Sequence, residues 1–177
     1  CVRDAALMMN VLKRPDARSL FLSLFLRRRA SELHSRAYLF LAADPAAISV
    51  FRPAERDLLE AKYRLSQANW GKGSALLESA LKGLEPAQLE GSTIIGELGS
   101  AYQAAGVAGT GARFLEAIAS RLSGPSRVDV LEQAGRLYRR AKEHQKALAL
   151  LRTAAAQATT TEQQDRARWY ALDVLLA

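Results

Sequence analysis

Apolar residues recur every three or four positions along most of the chain, with polar residues between them. In the stretch 142–154, Ala147, Leu151 and Ala154 fall on one side of a helix, because an α-helix turns once every 3.6 residues. Alternating runs of β-branched residues, which would indicate strands, do not occur in the sequence, and STII at 92–95 comes nearest to one. The pattern therefore predicts an all-α protein whose helices are roughly 10 to 18 residues long.

Proline and glycine indicate where these helices begin and end. Proline is tolerated in the first turn of a helix because the N–H that it lacks would have no helical partner there. Glycines fall between the periodic segments, at Gly71 and Gly73, within 106–111 and at Gly124, which predicts short turns and antiparallel neighbouring helices. The predicted helix starts lie at the five prolines, Pro15, Pro45, Pro53, Pro86 and Pro125.

Three stretches, 60–81, 97–118 and 132–154, share one order of residue types. Each has a helix with a small residue on its inner face, then a short polar turn, then a helix that reads small, apolar, apolar. Gly99 and Gly135 hold the small position in the second and third stretches and lie 36 residues apart. Helix–turn–helix repeats have a period of about 34 residues, whereas longer helical repeats have about 40–47. The sequence therefore predicts helix pairs that repeat along the chain.

Close packing of antiparallel helices explains why small residues recur at these places. A large side chain does not fit where two helices cross closely, so each crossing needs a residue with little or no side chain. A large ring one turn further along the same face can then fill the wedge between the helices. The residues expected at these crossings are Gly99, Gly111, Gly135 and Ala147, with Tyr102 and Tyr138 packed against Leu115 and Leu151.

Four motifs resemble the tetratricopeptide (TPR) family. LGSAY at 98–102 and AGRLY at 134–138 are similar to the signature of that family's first helix. KEHQKALALLRTA at 142–154 resembles its second helix, and ANWGKG at 68–73 resembles its turn. The resemblance covers roughly residues 53–160, about three repeats.

This resemblance implies an antiparallel helix-pair solenoid, a TPR-like superhelix that continues through the chain. Residues 1–52 depart from the family pattern, and we expect them to form divergent N-terminal helices. The TPR-like part is expected over 53–177, with repeats at approximately 54–85, 86–124 and 125–160 and a terminal helix at 161–177.

Composition and charge narrow the class of protein without selecting a partner. Hydrophobic residues make up 49% of the 177 residues and charged residues 24%, as in ordinary globular proteins. The formal charge of +7 permits binding to nucleic acid, anionic lipid or acidic peptides. RNA binding of the kind that reads one base per repeat needs regular polar pairs, which the repeats lack. Nucleic acid is therefore the least favoured partner.

The sequence lacks the residues that catalysis or metal binding would need. Two histidines, His34 and His144, and one cysteine are too few for the converging ligands of a zinc site. A serine nucleophile motif is absent, and the glycine-rich GVAGTGA at 106–112 has neither the lysine nor the preceding strand of a phosphate-binding loop. The Glu-Ser pair at 78–79 lies mid-helix without lysozyme-like surroundings. We expect no enzymatic activity, no cofactor and no metal.

The TPR resemblance also implies where a partner binds, because the first helices of that family line a concave groove that holds peptides. In LEQAGRLYRRAK the glycine and tyrosine fix the packed face, which turns the arginines towards the groove or its edge. Arginine binds carboxylates through paired hydrogen bonds, so the expected partner is an acidic peptide or a C-terminal carboxylate. A solvated helix face is the alternative interpretation. The expected binding residues are Glu132, Arg136, Arg139 and Arg140, with Thr93, Ser100 and Gln103 beside them.

Two further expectations concern the aromatic residues and the first residue. Trp70, Trp169 and Tyr170 lie beside leucines at helical spacing, so we expect them in the core rather than in a ligand-stacking surface. The chain starts with Cys1, and a processed bacterial lipoprotein carries its lipid on such a cysteine, although the usual polar tether is missing here.

The function expected from these observations is a non-catalytic protein-interaction scaffold or assembly module. A bacterial cell envelope location is favoured over the cytoplasm, with membrane contact only through a lipid on Cys1. The alternative is an accessory superhelical domain of a cell-wall lytic enzyme, which divergent arrays of this kind also resemble.

Overall fold

The computed structural model describes residues 10–89 and 92–177, and Cys1, the candidate lipidation site, lies outside them. The described residues contain helices and turns but no strand, so the all-α prediction is confirmed. STII at 92–95 leads into a helix rather than a strand. The helices are α1 Pro15–Arg27, α2 Glu32–Ala42, α3 Pro45–Ser49, α4 Pro53–Ser66, α5 Trp70–Gly83, α6 Pro86–Leu89, α7 Ile94–Ala104, α8 Ala108–Ala119, α9 Gly124–Arg140, α10 His144–Gln157 and α11 Thr161–Leu175.

The chain divides into two compact units. The first unit comprises residues up to Gln88 together with Ser92–Ile94, and the second comprises Leu89–Gly91 and Ile95–Ala177. The first unit therefore holds α1 to α5, and the second holds α8 to α11 with nearly all of α7. None of the helices in the described ranges is long and apolar enough to cross a membrane.

The five prolines stand at helix starts, as the sequence predicts. Four of them are the first residue of a helix, and Pro125 is the second residue of α9. At these positions the missing N–H breaks no helical hydrogen bond, and the fixed φ of proline suits the first turn. Proline thus sets where five of the helices begin.

Three pairs of helices, α4–α5, α7–α8 and α9–α10, are joined by the same kind of turn. Each turn has one residue with a left-handed backbone: Ala68 at φ 56°, Gly106 at φ 73° and Lys142 at φ 62°. The next residue donates its N–H to the carbonyl five positions back, which is the Schellman closure of a helix end. These hydrogen bonds run from Asn69 to Arg64, from Val107 to Tyr102 and from Glu143 to Tyr138.

Small residues permit close packing inside the pairs. A Cβ built on Gly135 would lie 2.7 Å from Cγ of Leu151, so α9 and α10 approach there only because Gly135 has no side chain. A Cβ built on Gly111 of α8 would likewise overlap the ring of Tyr102, so α8 packs closely on this ring only because Gly111 has no side chain. The clearance expected at Gly135 and Gly111 is therefore present.

Gly99 differs from its counterpart Gly135. A Cβ on Gly99 would lie 3.0 Å from Oε1 of Gln133, on α9, instead of against the second helix of its own pair. The expected role of Gly99 at a crossing within its own pair is therefore wrong, because this glycine instead lets the side chain of Gln133 approach α7.

In the first unit, α2 packs against α4. Tyr38 of α2 stacks on Tyr63 of α4 with ring centroids 5.0 Å apart, and the hydroxyls of Ser35 and Ser66 are 2.5 Å apart. Because the residue numbers rise along one helix while they fall along the other, α2 and α4 are antiparallel. Lys62 of α4 is fully buried.

Candidate functional site

The candidate partner-binding residues of the second unit lie on α7 and α9, and ion pairs fix α9 beside α11. Arg166 of α11 contacts Glu132 through Nε at 2.5 Å and Asp129 at 2.8 Å, and Arg139 of α9 contacts Asp173 at 2.9 Å. The pairs Glu132–Arg166 and Arg139–Asp173 are both 34 residues apart, so the two helices run in the same direction. Helices α9 and α11 are therefore parallel neighbours, held in register by charge.

Glu132 belongs to this contact between helices. Its side chain is buried, and burial raises the pKa of its carboxyl group, a rise that the hydrogen bond from Arg166 only partly offsets. The same hydrogen bond raises the pKa of Arg166. A buried carboxylate that already accepts from a guanidinium offers little to an incoming ligand, so the structure gives Glu132 a positioning role.

The three arginines expected to bind a partner have three different environments. Arg139 is half-buried and ion-paired to Asp173. Arg136 is exposed and lies over the ring of Tyr170, with its guanidinium carbon 4.6 Å from the ring centroid. Arg140 is exposed, and among the described residues neither Arg136 nor Arg140 forms an ion pair. Two cations of α9 thus remain available to an anionic group in solvent.

Ser100 and Gln103 are also exposed, on α7 of the same unit. The hydroxyl of Ser100 donates to the carbonyl of Gly96 at 2.9 Å, which leaves its oxygen able to accept a further hydrogen bond. Thr93 belongs to the first unit, where its N–H donates to the carbonyl of Leu26 at 2.7 Å. Of the expected polar residues, Ser100 and Gln103 therefore belong to the same unit as the arginines of α9.

Tyr138 lies next to these arginines in sequence but faces the packed interior. Its hydroxyl donates to Oε2 of Glu116 at 2.7 Å, and burial together with that carboxylate raises its pKa to about 12. The tyrosine is therefore neutral and fixed in position at ordinary pH. It orients α9, so that the arginines on the opposite face point outward.

The aromatic residues expected in the core are not all buried. Trp169 has 68% of its surface exposed and Trp70 has 38%. The core expectation is therefore wrong for both tryptophans; on α11, no helix lies against the face that carries Trp169 among the described residues. Tyr170 is half-buried beneath Arg136, where it helps to hold that guanidinium in place.

Sequence reasoning missed Arg166, Asp129 and Asp173, which fix α11 against α9. The sequence does hold a signal for these contacts, because residues of opposite charge recur 34 positions apart, at Glu132 and Arg166 and at Arg139 and Asp173. That distance is close to the length of a helix–turn–helix repeat.

No cluster of three or more metal-ligating side chains occurs in residues 10–89 and 92–177. A scan against family models and searches of curated proteins and of solved structures each found no match for this chain.

Proposed function

We propose that the chain is a non-catalytic protein-interaction module made of stacked TPR-like helix pairs. Three pairs close with one kind of turn, and their left-handed residues Ala68, Gly106 and Lys142 are spaced by 38 and 36 residues. This spacing is close to that of helix–turn–helix repeats. It supports a chain built from one recurring helix-pair unit.

The binding surface in this proposal is the outer side of α7 and α9, which we call the α9 face: Ser100, Gln103, Arg136 and Arg140. The observation that carries it is the contrast among the arginines of α9. Arg139 already has a carboxylate partner, whereas Arg136 and Arg140 are exposed and have no carboxylate partner in the described part of the chain. Two unpaired cations on a rigid helix suit an acidic peptide or a chain-terminal carboxylate.

The helix itself limits how the α9 face adapts to a ligand. The ring of Tyr170 supports Arg136 on one side, and the Arg139–Asp173 pair holds α9 against α11. A guanidinium held in place loses less side-chain entropy on binding than a free one, so it contributes more to affinity. The α9 face is therefore already in its binding conformation before the proposed ligand arrives.

A selection experiment tests this proposal. We expect the protein, immobilised and exposed to a library of random peptides with free C-termini, to enrich sequences rich in Asp and Glu. The double variant Arg136→Glu and Arg140→Glu should then bind a selected peptide at least about tenfold more weakly, because each lost charge-assisted hydrogen bond is worth about 1.5–3 kcal/mol.

The control is Arg152→Glu, an exposed arginine on α10 that changes the net charge in the same direction. It should alter the affinity by less than about twofold, since a distant exposed charge acts only through the screened overall field. Equal weakening by the α10 control, or peptide binding that survives the double reversal with helicity intact, would contradict the proposal.

A further inference from the structure

A cleft of about 340 Å³ opens in the first unit, between the end of α1 and the start of α2. Small-molecule sites have volumes of about 300–1,000 Å³, so the cleft is large enough for part of a small ligand. Its walls are mainly apolar, with one cation at the edge: Phe21, Leu24, Phe25, Leu33, Ala37 and Arg28.

Two of the wall residues are unusually exposed for their type. Leu33 of α2 has 67% of its surface exposed and Leu24 of α1 has 49%. By contrast, Leu22, Phe25 and Leu26 of α1 are buried. The apolar run at 20–26, LFLSLFL, is thus buried on one face only. The other face ends in a cleft whose apolar surface remains in contact with water, which favours an apolar occupant.

The polar group inside the cleft already has partners. Nδ1 of His34 lies 2.8 Å from the hydroxyl of Ser31, its ring packs edge-on against Phe25 at 4.7 Å, and it also bonds to the backbone of Leu24. Burial and the nearby positive charge of Lys62 lower its pKa, so the ring is neutral at pH 7. The interior therefore has no spare hydrogen-bonding group for a polar ligand.

Charge distinguishes one edge of the cleft from the other. Arg27, Arg28 and Arg29 follow one another at the end of α1 and are exposed, and none of them forms an ion pair within the described residues. Of the three, only Arg28 lines the cleft. An occupant with an apolar body and one anionic end would match both the walls and the edge.

A hydrocarbon chain matches the cleft better than a helix does, because the cleft lies between two neighbouring helices and is lined by short stretches of each. An α-helix with its side chains is about 10–12 Å wide, so a single turn fills roughly 420 Å³ or more. An extended hydrocarbon chain is much narrower than such a helix and needs less room between α1 and α2.

We propose that this cleft binds a single-chain anionic amphiphile of the fatty-acid class, with the hydrocarbon chain between α1 and α2 and the carboxylate on Arg28. The site lies in the first unit and is independent of the α9 face.

Binding of dodecanoate, below the concentration at which it forms micelles, tests the assignment by isothermal titration calorimetry. Ala37→Phe should weaken binding about tenfold or more, because the added ring occupies the space of the chain. Leu33→Gln, at an exposed rim position that tolerates polar residues, should also weaken binding, and thermal melting of both variants checks that they fold. Dodecanoate binding that is absent, or unchanged in both variants, would overturn the proposal.

Two charge reversals test the role of Arg28. Arg28→Glu should weaken dodecanoate binding about tenfold, the size expected when one charge-assisted hydrogen bond is lost. It should also bind dodecyltrimethylammonium more tightly than the wild-type protein does. Arg29→Glu makes the same charge change outside the cleft lining and should have less than about a threefold effect. Equal effects of the two reversals, or binding to phosphatidylglycerol vesicles that Ala37→Phe leaves unchanged, would instead indicate a diffuse anionic surface interaction and overturn the proposal.

Discussion

Lys62 in the first unit and Arg136 in the second hold the same place in their helices but have opposite environments. Each lies six residues before the left-handed residue that closes its helix pair, Ala68 or Lys142. Lys62 is fully buried, and its ammonium donates to the carbonyl of Arg28 at 2.7 Å. Arg136 is exposed over an aromatic ring. A cation at one register position is therefore buried and structural in one unit and exposed to solvent in the other.

The cause of the difference is what covers each helix. In the first unit the chain that leaves α1 passes over α4, and its carbonyl groups need a donor, which Lys62 supplies. In the second unit α9 is flanked by α11, whose Arg166 and Asp173 contact other residues of α9, while Tyr170 lies under one side of Arg136 and leaves its guanidinium exposed to solvent. The same residue class at the same position is therefore buried in one unit and exposed to solvent in the other.

The largest effect that tests this comparison is on the free energy of unfolding. Lys62→Ala should reduce it by about 2–4 kcal/mol, since a hydrogen bond to a charged group and buried methylene packing are both lost. Arg136→Ala should cost less than about 1 kcal/mol, the worth of an exposed cation–π contact. Urea denaturation of both variants measures this, and equal losses would show that the two positions are not in different environments.

A smaller effect on stability is expected when glycines in the second helices of the pairs, α5 and α8, are replaced by alanine. Gly111→Ala should destabilise the protein by about 1–3 kcal/mol, because the added methyl overlaps the ring of Tyr102. Gly71→Ala, at a helical glycine with nothing within 4 Å, should stabilise it by about 0.5–1 kcal/mol. Thermal unfolding of both variants gives the sign of each change, and a gain at Gly111 would mean that α7 and α8 pack less closely.

The smallest effect depends on pH and concerns only the second unit. Tyr138 has a pKa raised to about 12 by burial and Glu116, above the ordinary value near 10. A raised folded pKa contributes stability that is complete below pH 10 and is lost as the pH rises towards 12. Wild-type stability should therefore fall by about 1 kcal/mol more than that of Tyr138→Phe between pH 9 and pH 11. Parallel curves for the two proteins in urea titrations would contradict the buried geometry.

Some of the structure could be predicted because it depends on local chemistry. Helices follow from the 3.6-residue period, and their starts follow from proline, as at Pro53 and Pro125. The clearance at Gly135 could also be predicted, since the two helices that approach there, α9 and α10, form one pair and only a short turn separates them.

Other features depend on contacts between pairs, which local pattern does not determine. Gly99 was expected to face its own second helix, but it faces Gln133 of the next pair. Glu132 could not be recognised as buried without knowing that Arg166 would lie beside it. Whether Trp169 is buried depends in the same way on which helix lies against α11. In each case the sequence does not show which helix lies next to the residue.

The most direct test of the central claim, that the α9 face binds acidic chain ends, is an NMR titration of the ¹⁵N-labelled protein. The ligand is a hexapeptide of Asp and Glu with a free C-terminus. We predict that the largest amide shifts occur around Ser100, Gln103, Arg136 and Arg140, and that they disappear when Arg136 and Arg140 are both changed to Glu. Shifts centred on α8 and α10, or no shifts at millimolar peptide, would contradict the account.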